Sequence, residues 1–147
     1  MSVSVTTIGF TQTTAEQFFA RLQAAGVRTV FDVRLHNTSQ LAGFAKAEDL
    51  KFFLERVAGI GYSHLPMLAP DEAMPKTFKT QKGDWSVYAA QFTDLLAARR
   101  VETQLSPAEF EGACLLCSEK TPHRCHRSLV VAYLNQKWGE ALRVRHL

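Results

Sequence analysis

The chain has 147 residues, of which 46% are hydrophobic and 21% charged, and its formal net charge at pH 7 is +3. This balance excludes a disordered chain and suits one domain with one core, and no apolar run approaches the roughly 20 residues of a membrane span. Three cysteines are an odd, low number that argues against a disulfide framework. Because residues 1–6 show no signal-peptide pattern, we expect a cytoplasmic protein with free thiols.

Predicted strands and helices alternate along the chain. In chain order, the first half gives a strand over 3–10, a helix that Thr13 and Glu16 cap and Gly26 ends, and a strand over 27–33. A loop over 35–45 follows, then a helix with the apolar stripe Leu50, Phe53, Leu54 and Val57, and a strand over 62–65. The second half gives a loop over 66–83, a helix from Asp84, a short helix from Ser106, a strand over 113–117, a helix from Cys125 to Gly139 and an edge strand over 141–147. Runs of β-branched residues, capping boxes and helix-ending glycines set these bounds.

Strands that alternate with helices indicate right-handed crossovers and a mainly parallel sheet. We therefore expect an α/β fold, with residues 1–147 forming a single three-layer domain that has helices on both faces of the sheet. In such sheets, ligands bind beyond the carboxyl ends of the strands. The loop over 66–83 has a length that is often functional, for example as a lid.

Polar side chains gather where the predicted strands end. Thr11 follows the first strand, and Asp32 and Arg34 close the second; being two residues apart on a strand, they face the same side. An acid beside a guanidinium suits an anion clamp and equally an ion pair that orders the next loop. His64 ends the third strand, where it is a candidate general base or metal ligand, although a lone histidine there is more often a hydrogen-bonded structural residue.

The cysteines lie on the fourth strand and at the start of the last helix. Cys114 and Cys117 have the spacing of a redox or zinc pair, but positions i and i+3 of a strand face opposite sides. We therefore expect Cys114 in the core and only Cys117 at the site. Cys125, His126 and Arg127 open the last helix, where backbone N–H groups favour a thiolate and an anion.

Two alternatives stay open for this segment. Cys125 could be a small buried hydrophobe while Arg127 pairs with Glu119. A tetrahedral zinc set could also be formed by Cys117, Cys125, His126 and His64. The spacing between Cys117 and Cys125 exceeds that of the tight pairs in structural zinc sites, so the sequence favours a site without metal or other cofactor, and we expect well under one zinc per purified chain.

Several segments resemble one known family. They are Ile8-Gly9 with the threonine-rich turn that follows, Phe31-Asp32-Val33-Arg34, Phe44, Gly61-Tyr62-Ser63-His64-Leu65-Pro66, and Leu115-Leu116-Cys117-Ser118-Glu119 continuing to Cys125-His126-Arg127. The most specific is the last, a strand that ends in Leu-Cys-x-Glu, then proline, then Cys-His-Arg at a helix start. On these segments the chain resembles the domain-of-unknown-function family 488. The resemblance implies a small α/β domain with its site at these residues, and it implies no reaction.

The residues favour a domain that acts on an anionic small molecule, phosphate-bearing or nucleotide-like. The candidate ligand-binding residues are Thr11, Arg34, His126 and Arg127, and the candidate catalytic residues, for a thiolate and for proton transfer, are Cys117, Cys125, Asp32, His64 and Glu119. One alternative is a nucleic-acid or nucleotide binding module that uses the same arginines on phosphates. Another is a structural or protein-interaction domain whose polar cluster ties loops to the sheet. The composition gives no reason to expect a membrane partner.

Overall fold

The computed structural model describes residues 3–10, 13–34, 45–71, 85–117 and 126–147. The predictions for Thr11, Asp84, Glu119 and Cys125, and for most of the loops over 35–45 and 66–83, lie outside these ranges.

Five strands form one sheet in which every neighbouring pair is parallel. The strands are β1 (Val3–Gly9), β2 (Thr29–Asp32), β3 (Gly61–His64), β4 (Ala113–Cys117) and β5 (Leu142–His146). The helices are α1 (Ala15–Ala24), α2 (Ala47–Phe52), which continues into a π-helical turn (Phe53–Ala58), α3 (Trp85–Arg99), α4 (Val101–Gln104) and α5 (His126–Trp138), with 3-10 turns at Pro66–Leu68 and Pro107–Phe110. The expected α/β fold with a parallel sheet is confirmed.

The strand order is β3-β2-β4-β1-β5. The chain therefore runs outward from β1 to β2 and β3, then returns to insert β4 between β1 and β2, and ends at the edge strand β5. Right-handed crossovers in two opposite directions put helices on both faces of the sheet. The direction of the connections reverses around β4, and the carboxyl end of β4 is thus a topological switch point, where α/β sheets bind ligands.

Two apolar clusters fill the space between the sheet and its helices. On one face, α1 and α2 pack on the sheet through Phe18, Leu22, Leu50 and Leu54. On the other face, α3 and α5 pack through Phe92, Leu96, Val130 and Leu134. All five residues of β4 are buried because this strand lies between neighbours and under helices on both faces.

Two local predictions are wrong in detail. The cap of α1 is Thr14, whose Oγ1 accepts a hydrogen bond from the backbone N–H of Gln17 at 3.1 Å, because glutamine completes a capping box as glutamate does. Thr13 Oγ1 instead accepts a hydrogen bond from Arg21 at 3.1 Å. In the predicted stripe of α2, Leu50 and Leu54 are buried, but Phe53 and Val57 are exposed because the π-helical turn changes the periodicity.

Other local predictions are confirmed. Gly26 follows α1 with a φ of +69°, and the capping box of Ser106 with Glu109 opens the second 3-10 turn. Within the described ranges, none of the helices combines the length and hydropathy of a membrane-spanning segment.

Candidate functional site

Three strands bring the predicted site residues to one end of the sheet. In the parallel register, Asp32 lies beside His64 on β3 and beside Leu116 on β4, while Cys117 lies beside Gly9 on β1. The carboxyl ends of β2, β3 and β4 therefore coincide, as the alternation of strands and helices predicts.

The ion pair of Asp32 and Arg34 lies at the centre of this end. Arg34 donates from Nε to Asp32 Oδ1 at 2.8 Å and from Nη2 to Oδ2 at 2.7 Å, a bidentate contact. The backbone N–H of Arg34 also donates to Oδ1, at 3.1 Å. Both side chains are buried, with exposed fractions of 0% for Asp32 and 3% for Arg34. The two-residue spacing puts both side chains on the same side of the chain, which allows this contact.

Tyr62 is a member of the site that sequence reasoning missed. Its hydroxyl donates to Asp32 Oδ2 at 2.6 Å. Tyr62 lies two residues before His64, so the alternation of β3 places both side chains on one face, and this spacing is the signal that could have identified it.

Asp32 is an ionised anchor in this arrangement. Burial raises the pKa of Asp32, but hydrogen bonds from Arg34, the positive charge of Arg34 and the Tyr62 hydroxyl outweigh burial, and the pKa lies below its ordinary value. The carboxylate accepts hydrogen bonds from four donors on Arg34 and Tyr62. This geometry suits the orientation of Arg34 better than the proton transfer that the sequence suggested.

Arg34 has a second edge that Asp32 does not use. A guanidinium carries five N–H donors, and the ion pair engages those on Nε and one on Nη2. Nη1 is buried and has no hydrogen-bond partner in the described part of the chain. The ring of Phe10, the residue after β1, lies 5.3 Å from the guanidinium carbon. Arg34 therefore reaches across the end of β4, which separates β1 from β2.

Two histidines hold the backbone that carries Arg34. His64 Nε2 lies 2.7 Å from the carbonyl oxygen of Arg34, and His126 Nε2 lies 2.7 Å from that of Val33. A carbonyl oxygen only accepts, so both Nε2 atoms carry a hydrogen and donate. His64 thus makes the structural hydrogen bond that the sequence analysis gave as one alternative, and its role in proton transfer stays a prediction.

The two described cysteines lie on opposite faces of the sheet, as predicted. Cys114 packs with α1 and α2, and burial raises the pKa of its thiol to about 12. Cys117 packs with Val33 in the cluster under α3 and α5. Asp32 and Leu116 lie on the same face of the sheet. Cys117 therefore lies at the same carboxyl end of the strands as the Asp32–Arg34 pair, but its side chain is on the opposite face of the sheet.

Arg127 is the second guanidinium near this end. It is the second residue of α5 and is fully buried. His126 joins the first turn of α5 to the end of β2, so Arg127 enters the core close to the carboxyl ends of the strands. Across the described ranges, no three His, Cys, Asp or Glu side chains are grouped as they would be around a metal ion.

Comparison with known proteins gives one family. A family described as domain of unknown function DUF488 matches residues 14–134. That range includes Asp32, Arg34, His64 and Cys117 and excludes Thr11. No curated protein and no solved structure matches the chain significantly.

Proposed function

The chain belongs to the family described as domain of unknown function DUF488, and from that premise we propose that its site binds an anionic small molecule through a phosphate or carboxylate group. The family's description specifies no reaction, so the proposal depends on the chemistry of the site. The observation that carries it is the unused edge of Arg34.

A buried donor without a partner is costly, by about 1–3 kcal/mol. Nη1 of Arg34 is such a donor among the described residues, and Nη2 has a second N–H beside it. Two oxygens of a phosphate or carboxylate fit such a pair of parallel N–H groups. Asp32 already fixes the orientation of the guanidinium, so little conformational entropy is lost when the anion binds.

The surroundings of Arg34 favour the same ligand class. The carboxyl end of β4 is a switch point, and α5 begins beside it, where helix N–H groups favour negative charge. Arg127 is a second buried arginine, and it belongs to the first turn of this helix. A phosphate-bearing or nucleotide-like molecule has enough oxygens to contact both elements. The proposal includes a cytoplasmic location, since the protein's free thiols suit a reducing compartment.

A covalent step is a separate proposal from binding. It would use a thiolate from Cys117 or Cys125, with His64 or Glu119 for proton transfer. The side chain of Cys117 faces away from the Asp32–Arg34 pair, so the arginine edge alone defines the binding proposal.

Thermal unfolding in inorganic phosphate, with ionic strength held constant by chloride, tests the binding proposal. We expect phosphate to raise the Tm of the wild type, because a ligand at about 100 times its Kd adds about 2.7 kcal/mol to stability. Arg34→Lys keeps the charge but loses the planar fork, so the phosphate-dependent rise should disappear.

Arg99→Lys is the matched control. Among the described residues, Arg99 donates from Nη1 to backbone carbonyls, at 2.6 Å to Ala69 and 2.9 Å to Met67. This variant should lower the Tm without phosphate and keep the full rise with phosphate. A wild type that phosphate does not stabilise, or an Arg34→Lys variant that keeps the full rise, would contradict the proposal.

A further inference from the structure

Exposed apolar side chains are concentrated on one short stretch of the described chain. Of the four large hydrophobic residues exposed there, three are Phe52, Phe53 and Val57, and the fourth, Val87, is on α3. The exposed fraction is 55% for Phe52 and 71% for Val57. We call these three residues the Phe52 patch. Clustered apolar side chains on a surface mark interaction sites, whereas isolated ones are ordinary.

The Phe52 patch is joined to the core through aromatic contacts. The buried ring of Phe18 lies 5.1 Å from that of Phe19, Phe19 lies 6.0 Å from Phe53, and Phe53 lies 5.6 Å from Phe52. These edge-to-face contacts hold the outer rings in place, which lowers the conformational entropy they would lose on binding. The π-helical turn over Phe53–Ala58 accounts for the exposure, and such turns are frequent at functional sites.

Charges of both signs border the Phe52 patch: the acidic Glu48 and Asp49 lie before it and Arg56 lies towards its last residue, while Lys51 and Glu55 lie between them. Glu48 and Asp49 lie in the first turn of α2, and Arg56 lies in the last turn of the π-helical segment. All three are exposed, and within the described ranges none of them forms a salt bridge. A partner that fits this surface carries a basic group opposite Glu48 and Asp49, an acidic group opposite Arg56, and apolar side chains between them.

A second copy of this chain meets that description, and we propose that the Phe52 patch is the interface of a two-fold symmetric homodimer. When the helical segment of residues 47–58 packs antiparallel to its copy, Phe52 of each chain lies near Phe53 of the other. Arg56 of each then lies near Glu48 and Asp49 of the other, on both sides of the axis. Antiparallel packing also sets the helix dipoles in opposition, and an isologous interface needs this kind of self-complementary surface.

Sedimentation velocity from micromolar to millimolar protein tests the dimer. We expect a concentration-dependent dimer for the wild type. Phe52→Asp should raise its dissociation constant about 30-fold or more, as expected when a charge replaces a central apolar contact. Val57→Asp should also raise it, because the new carboxylate lies near the acidic Glu48 of the other chain. Val87→Asp places the same charge on an exposed valine outside the patch and should leave dissociation unchanged. All the substituted side chains are exposed, and thermal unfolding of each variant verifies that it folds.

A charge exchange tests the antiparallel arrangement. Arg56→Glu should dissociate the dimer by facing Glu48 and Asp49, and the double variant Glu48→Lys, Asp49→Lys should dissociate it by facing Arg56. An equimolar mixture of the two should form a heterodimer, because both ends of the interface then pair opposite charges. A monomeric wild type at millimolar concentration, a dimer that Phe52→Asp and Val57→Asp leave intact, equal dissociation by Val87→Asp, or a mixture that stays monomeric would each overturn the proposal.

Discussion

The guanidinium of Arg34 has one edge on Asp32 and a second edge turned away from it. The sequence allowed two uses for this pair, an ion pair that orders the chain and an anion clamp. The structure accommodates both, because the carboxylate occupies only part of the donor set. The ion pair supplies the orientation, and Nη1 has no hydrogen-bond partner among the described residues.

The cysteines should differ in their rates of alkylation. Burial raises the pKa of Cys114 to about 12, which leaves almost no thiolate at neutral pH. Cys125 lies outside the described residues, and its sequence position, directly before α5 and beside Arg124, predicts the more reactive thiol. We expect iodoacetamide to label Cys125 before Cys114, with rates read for each cysteine by mass spectrometry across pH. Cys114 should react only after denaturation. A Cys125 that is equally inert in the folded protein would remove it as a nucleophile and leave Cys117.

Alternation along a strand predicted the residue-scale features that depend on side-chain direction. It placed Asp32 and Arg34 on one face and separated Cys114 from Cys117, and applied to Tyr62 and His64 it would have found the hydroxyl on Asp32. It could not give the partners of the histidines. His64 and His126 bind main-chain carbonyls, and a carbonyl is present at every residue, so no side-chain pattern marks it.

At the scale of elements, the sequence located every strand of the sheet but misjudged helix details. Thr13 and Thr14 are each followed three residues later by a side chain that can complete a capping box, and the choice between them depends on the bond of Thr13 to Arg21. The stripe of α2 assumed a uniform helical period. The π-helical turn breaks that period, and no residue type in Phe53–Ala58 predicts such a turn.

The stability that Asp32 contributes where β2 and β3 end should decrease in acid. The pKa of Asp32 is lowered in the folded protein, so its stabilisation is complete above its unfolded value of about 3.9 and is lost as the pH falls through the folded value. Tyr62→Phe removes one donor and moves the folded pKa upward. We expect a loss of about 2 kcal/mol at pH 7 that shrinks in acid, measured by urea unfolding across pH.

Tyr133→Phe is the matched control for this effect. Tyr133 also donates to a carboxylate at 2.6 Å, that of Glu102, which lies near the surface, where solvent screens the interaction. The loss of stability should therefore be smaller than for Tyr62→Phe. An equal loss in the two variants, or a loss in Tyr62→Phe that is the same in acid and at neutral pH, would contradict the role given to Asp32.

At the scale of the whole molecule, the alternation of elements predicted a parallel sheet with helices on both faces but could not give the strand order. The insertion of β4 between β1 and β2 depends on contacts between residues far apart in the chain, such as Val5 with Ala113 and Thr29 with Ala113. This order brings Phe10 and Arg34 together across the end of β4. The site is therefore a consequence of topology as much as of local sequence.

Salt dependence should distinguish a small anion from nucleic acid as the ligand. A net charge of +3 is modest, and the exposed arginines of β5, Arg143 and Arg145, lie on an edge strand on the far side of β1 from β4. For a mononucleotide at Arg34, we expect the logarithm of affinity to fall with the logarithm of salt concentration with a slope of about −1 or shallower. A duplex contacted at many phosphates should instead lose about 10³-fold or more in affinity when salt rises from low to moderate concentration. Fluorescence titration of a labelled mononucleotide and a labelled DNA duplex measures both.

Arg34→Lys should abolish mononucleotide binding, while the double variant Arg143→Gln, Arg145→Gln should leave it unchanged. A tight duplex complex with a steep salt slope that the β5 variant weakens and Arg34→Lys does not would instead assign the chain to nucleic-acid binding.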